Sequence, residues 1–277
     1  MQRLRVLGGF ALTDPPDCCR RRLSQQRAEA VLAVLAVAGD LGCSRDRLVG
    51  LLWPETTETL ARHSLRDELY LIRQATEPSS LFAVGETLRI NGDAISSDVQ
   101  DFQRALTSKA WTEAVAAYGG PLLAGFHLDG APEFERWVEQ ERARLFRQCK
   151  WAIERLAEEA ERGAKWHKAA QWWGRATELD PYDTRSVVRR VRALAQSGDR
   201  ANALREAEEH ARFIEAEMDL KPDSAFAEEL ARIRRGDFGP TRFMTPSGEY
   251  PALHDFPLPP EPRQGGGKQR KRPGSPA

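Results

Sequence analysis

The stretch Ser44–Gln74, SRDRLVGLLWPETTETLARHSLRDELYLIRQ, constrains this chain more than any other. Ser44 is a good N-cap, because its hydroxyl accepts from an orphan N–H of a first helical turn. Leu48, Leu51 and Leu52 recur on one face of a short helix. Pro54 lacks a backbone N–H and biases Trp53 away from the helical region, so the helix ends there and Trp53 closes it as a core residue. Thr57 or Thr59 caps a second helix, on which Ala61, Leu65, Leu69 and Ile72 make one apolar stripe. His63, Arg66, Asp67 and Tyr70 lie on the other side. Two short helices joined by a tight break, the second presenting polar side chains, fit a helix-turn-helix; the same pattern also fits two ordinary helices of a bundle.

The flanking segments narrow that choice. Leu4 to Leu12 reads as a strand interrupted by Gly8-Gly9, and DPPDCCRRR is a turn-rich connection. SQQRAEAVLAVLAVAGD is helical, capped by Ser24 and closed by Gly39, with Ala28, Val31, Leu32 and Leu35 toward a core. Beyond Glu77-Pro78 the period becomes strand-like. LFAV and TLRI flank Gly85-Glu86 as a hairpin, Asn91-Gly92-Asp93 is a turn, and AISSDV is another short strand. Three helices followed by a hairpin is the layout of a winged helix-turn-helix, in which the third helix enters the major groove and the hairpin follows the backbone or minor groove.

From Asp98, read as a helix cap, the chain is helical. One helix runs through Phe102 and Leu106, a second spans Trp111 to Tyr118, and PLLAGFHLDGAPEFERW is a loop with apolar anchors. Pro132 suits position N1 of a long helix ended by Gly163, with Phe134, Trp137, Val138, Leu145 and Ile153 inside. The remainder repeats: Gly163, Lys165, Ala169-Ala170 and Ala176 are echoed by Gly198, Arg200, Ala203 and Ala207. A period of about 34 residues with paired helices is the tetratricopeptide signature. Trp166, Trp172 and Trp173 suit core and groove lining. After Arg235 the chain is rich in Pro and Gly, with a basic Lys268 to Arg272 run, the composition of a solvated tail.

Composition limits the function classes. The 277 residues carry 41 Lys+Arg and 41 Asp+Glu, so the formal net charge is zero, which gives no support of its own to a nucleic-acid partner. The cysteines Cys18, Cys19, Cys43 and Cys149 lack zinc-ligand spacing and suit a reducing compartment. No apolar run reaches 18 residues, so we expect no membrane partner and a cytoplasmic protein. The motifs GxxxxGK[ST], HExxH and GxSxG are missing, so no enzyme, cofactor or metal is expected. His127 and His167, without carboxylate or cysteine neighbours in sequence, read as surface or packing residues.

LRVLGGFAL, SRDRLVGLLWPE with ARHSLRDELYLIR, LFAVGETLRI with ISSDVQDF, and GPLLAGF with APEFERWVEQERARL resemble the bacterial transcriptional activator domain proteins, including the SARP-type activators. The resemblance covers about Leu4 to Arg235. It implies a mainly α fold: a winged helix-turn-helix over 1–97, a tetratricopeptide-like activator domain over 98–236, and a basic tail over 237–277. It further implies double-stranded DNA as partner, with homodimers that recruit RNA polymerase. On this reading Arg66 and His63 contact base edges. Asp67 accepts from cytosine or pairs with a neighbouring arginine, and Tyr70 packs on the backbone or the core. Arg62 and Arg73, at the flank of the apolar stripe, suit phosphates or intradomain pairs, and Arg45, Arg47 and the hairpin's Arg89 suit phosphates. Asp67 and Glu68 depart from relatives, which carry neutral or basic residues there. The alternative is a tetratricopeptide-like scaffold for proteins, whose winged helix no longer reads DNA.

Overall fold

The computed structural model describes residues 2–13, 26–76, 82, 87–221 and 224–237. The Ser24 cap, Cys18, Cys19, the Gly85-Glu86 turn and the tail beyond Asp237 lie outside the described residues.

The chain opens with strands β1 (Gln2–Arg5) and β2 (Ala11–Thr13), an antiparallel pair with Leu4 opposite Leu12. The expected single strand is therefore a hairpin. The cause lies at Gly8: its φ of +99° belongs to glycine's range, and its N–H donates to Pro121 O at 3.0 Å, turning the chain away from an extended path. Helix α1 (Gln26–Ala38) follows, with Ala28, Ala30, Val31, Leu32, Ala33, Val34, Leu35 and Ala36 all buried. Its apolar residues run all round rather than in a stripe, so it fits only where other elements surround it. A 3-10 turn at Gly39–Leu41 leads to the two-residue strand β3 (Cys43–Ser44).

Helices α2 (Arg45–Leu52) and α3 (Glu58–Ala75) pack on α1 and on each other. The Ser44 hydroxyl accepts from Arg47 N at 3.2 Å, as a capping serine should. Thr57 occupies the cap position of α3, but its side chain makes no cap hydrogen bond. Strand β4 (Thr87–Leu88) pairs antiparallel with β3, and an antiparallel bridge joins Phe82 to Ile90. These are the described parts of the wing. Gly42 sits at its root with φ +67°, where a Cβ would meet Leu88 O at 2.7 Å.

Strand β5 (Ile95–Ser97), reached through the turn at Asn91, pairs parallel with β1. Helix α4 (Asp98–Thr107) begins immediately afterward. Its cap residue is Ser97, and Asp98 works elsewhere: its buried carboxylate accepts from Val6 N and Leu7 N at 2.9–3.0 Å, besides Val99 N at 2.7 Å. That reassigns Asp98 from helix cap to staple, because β1 runs out of sheet partners just there and its N–H groups need acceptors. Burial pushes the Asp98 carboxyl up, and the three backbone donors pull it back only in part.

Helices α5 (Trp111–Ala117) and α6 (Pro132–Arg162) come next, with Pro132 at the start of α6 and Gly163 at its end. At 31 residues α6 is about 46 Å long. Then α7 (Trp166–Leu179), α8 (Thr184–Gln196), α9 (Arg200–Met218) and α10 (Ser224–Arg235) stack in sequence, each packed on the one before. Ala169, Ala170, Ala176, Ala203 and Ala207 are buried on the first helix of each pair, where a small residue lets the partner approach. Trp173 is fully buried, with Trp166 and Trp172 half-buried beside it.

One apolar core runs without a break from Leu4 through Leu48, Leu69 and Phe134 to Trp173 and Ala193. A second, smaller core holds Val187, Val191, Ala203, Phe226 and Ile233. Helix α8 contributes to both. Its four arginines are met by acids on its neighbours: Arg189 by Glu161 of α6, Arg190 by Glu206 of α9, Arg192 by Glu229 of α10, and Arg185 lies near Glu154.

Candidate nucleic-acid interface

Helix α3 carries most of the candidate residues. Ala61, Leu65, Leu69 and Ile72 are at most 7% exposed, so the stripe read from sequence fixes which side faces the core. At about 100° per residue the side directly opposite holds Leu60, His63, Asp67, Tyr70 and Gln74, at i, i+3, i+7, i+10 and i+14. All five are exposed. Arg62, Arg66 and Arg73 fall together on one flank, between this crown and the buried stripe.

The structure separates the candidate residues by what they touch. Arg62 donates to Glu58 Oε1 at 2.8 Å and lies 2.8 Å from Asp46 Oδ1, which ties the first turn of α3 to α2. Arg73 lies over the Phe82 ring at 5.5 Å, and Arg89 donates to Asp40 O at 3.5 Å. The Arg66 side chain is exposed and has no ion pair among the described residues. Arg45 is exposed and Arg47 half-buried in the first turn of α2, beside the start of the wing. Tyr70, 60% exposed, turns outward rather than into the core. Asp67 pairs with His63 at 3.5 Å and not with an arginine, because those two share the crown while the arginines sit on the flank.

The inner side of α3 is held as well. Glu68 is half-buried toward Arg27 of α1, whose guanidinium lies over Trp53 at 5.9 Å. Burial pushes the Glu68 carboxyl up; Arg27 opposes this and Asp67 adds to it. Trp53 is 7% exposed, the core residue expected at the end of α2.

The family model of the bacterial transcriptional activator domain matches residues 91–234, more than half of the chain. The chain belongs to the bacterial transcriptional activator domain family. Among solved structures it is similar to EmbR of Mycobacterium tuberculosis, a structure solved in complex with a low-affinity phosphopeptide. The TM-score is 0.57 at 18% identity; the match covers 84% of this chain and 65% of that one. That likeness shows a shared fold, a winged helix followed by tetratricopeptide-like helical repeats. No curated protein matches the chain in sequence.

In this activator-domain chain the repeats hold a cleft of about 340 Å³. Pro181, Val187 and Phe213 line it with apolar surface, and Arg190, Glu206 and His210 with polar groups. Arg190 is already met there by Glu206 at 2.6 Å and by Thr177, so its charge is balanced within the protein. Burial pushes the His210 ring's pKa down, with Asp183 opposing, and its Nε2 lies 3.1 Å from Thr184 Oγ1. Burial raises the Cys149 thiol to about 12 and Cys43 to about 11, so neither offers a ready thiolate. Among the described residues no His, Cys, Asp and Glu group could hold a metal, and no helix is long and apolar enough to cross a membrane.

His127 differs from its sequence reading. It does have carboxylate partners, Asp129 at 3.2 Å and Glu135 at 3.1 Å, because the loop before α6 folds back on the helix's first turn. His167 is a surface residue near Gln171. Leu60 is the outward-facing residue of α3 that sequence reasoning missed; its place follows from the same helical count that located Leu65 and Leu69.

Proposed function

We propose that this chain is a cytoplasmic DNA-binding regulator of transcription, an activator, that reads promoter DNA through α3 while its wing lies along the backbone. Three parts divide the work: 1–97 binds DNA, 98–236 provides dimerisation and partner contacts that include RNA polymerase, and 237–277 is a basic tail. The observation that carries the reading is the two-sided exposure of α3. An outward crown of side chains that can meet base edges stands beside a row of arginines that can meet phosphates. The zero net charge is compatible with this because the arginines are gathered on one flank. No enzymatic role is proposed.

The test is binding of the full chain to promoter duplexes over a range of salt. Arg62, Arg66, Arg73, Arg47 and Arg89 set the scale. With three to five phosphates neutralised, log affinity should fall against log salt with a slope of about −3 to −5. Equal and negligible binding at low and high salt would refute the proposal.

The apolar side chains lining the repeat cleft favour a second reading, a scaffold that holds a protein partner. Retention of a partner peptide by a chain with no salt-dependent DNA binding would select it. The phosphopeptide seen with EmbR belongs to that protein.

A further inference from the structure

Resting on the DNA reading above, we infer that Leu60 is a specificity-determining residue of α3 and that it reads the 5-methyl group of a thymine. Four observations lead there.

Leu60 is the third residue of α3, and the first residues of a recognition helix are those that meet base edges in the major groove. Its side chain is 60% exposed although the helix has a complete apolar stripe on its other side. It therefore contributes nothing to the core that Ala61 and Leu65 form. The adjoining turn is pinned: Arg62 holds both Glu58 and Asp46, so the path that presents Leu60 is fixed against α2. Finally, the crown that faces away from the protein has no arginine. Guanine readout by a bidentate guanidinium needs an arginine that points at the base edge. Here Arg62 is engaged with two carboxylates, and Arg73 lies over Phe82. Arg66 stands on the flank, between the crown and the buried stripe.

What the crown offers near its leading end is an apolar side chain, then His63 paired with Asp67. The apolar feature of the major-groove edge is the thymine methyl, which no other base presents. A leucine in van der Waals contact with it removes two apolar groups from water, and its preference would disappear without that methyl. The inference concerns one residue and one base. It leaves the phosphate contacts of the arginine flank as proposed above.

The experiment uses the full chain and begins with selection of bound duplexes from a random-sequence library. Each thymine of the selected site is then replaced in turn by deoxyuridine, which lacks only the 5-methyl group. Wild-type protein should lose about three- to fivefold in affinity at one thymine, the effect of one buried methyl group. Leu60→Ala should bind the thymine and uridine duplexes equally, with an unchanged melting temperature because the residue is exposed. Indifference of the wild type at every thymine, with salt-dependent binding to the selected site, would overturn the role of Leu60 and leave the DNA reading intact. A Leu60→Ala variant that keeps the full thymine preference would overturn it too, since another residue would then contact the methyl. Failure to enrich any duplex would remove the DNA reading and this inference with it.

Discussion

Removing the Glu161 carboxylate should loosen the joint between α6, α7 and α8. Glu161 accepts from the Trp173 indole N–H at 2.7 Å and from Arg189 Nε at 3.1 Å, with a second contact from Arg189 Nη2. Arg189 also lies over the Trp173 ring at 4.9 Å. The Arg189 and Glu161 side chains are only 12% and 17% exposed. In Glu161→Ala, Arg189 would keep its charge in a largely dry setting with no counter-ion. Breaking one side of such a pair costs about 3–5 kcal/mol. The orphaned indole N–H, by itself about 1–3 kcal/mol, falls within the same loss, because partial rehydration of the opened site relieves both. For a unit of this size the melting temperature should drop by about 10 °C. Urea unfolding followed by circular dichroism is the assay, because fluorescence would sum over the seven tryptophans. Adding Arg189→Met should recover much of the loss, since the double variant buries no unpaired charge. A loss below about 1 kcal/mol, or a double variant no better than the single, would refute the reasoning.

Leu69→Ala, a large-to-small change at a 7% exposed position, should cost about 2–5 kcal/mol in chemical denaturation and weaken DNA binding only in proportion to unfolding. Arg66→Ala should leave stability unchanged and weaken all duplexes alike, lowering the salt slope by about one; a selective loss at one base pair would instead make Arg66 a base contact. Burial pushes the Asp183 carboxyl up, but its bonds from Ser186 and Lys150 and the Lys150 charge outweigh this and hold it below the usual carboxylate range. A depressed carboxylate stabilises the fold above its unfolded pKa and ceases to do so as pH falls through its folded one. Asp183→Asn should thus be less stable than wild type at pH 7, with the gap closing below about pH 4 in paired melting curves. Gly42→Ala should lower the melting temperature, because both the positive φ and the Leu88 carbonyl oppose a Cβ there; an unchanged value would mean that the wing can shift at no cost.

The helices were legible because their signals are local. Ser44, Pro54, Pro132 and Gly163 each mark an end by what their own backbone can or cannot do, and the spacing of Ala61, Leu65, Leu69 and Ile72 sets a face without reference to the rest of the chain. The strands were less so. No short-range pattern tells β1 to seek β5 as a parallel neighbour, or Asp98 to bond Val6 and Leu7 besides the Val99 N–H of its own helix; those choices depend on residues brought together by the helices between them. The same holds at the interface. Which residues of α3 face outward was readable, but the Asp46 carboxylate that holds Arg62 and the Phe82 ring beneath Arg73 come from other segments. Leu60 was overlooked for a different reason: polar side chains drew attention on a face where an apolar one is the unusual residue.

The position of β1 has a consequence for how the protein emerges during synthesis. Its hydrogen-bond partners are β5 and Asp98, and beyond them Leu123, whose N–H donates to Val6 O at 2.8 Å. Strand β1 therefore waits for chain made far later, on the order of ten seconds at ordinary translation rates. Throughout that interval the β1–β2 hairpin carries an open edge and the apolar side chains of Leu4, Val6 and Leu7. Helices α1 to α3 can gather in the meantime, because their contacts are close in sequence. Slow translation before Leu123 would prolong the exposure of that edge, so silent codon changes between β2 and α6 should alter the yield of native protein without altering its stability.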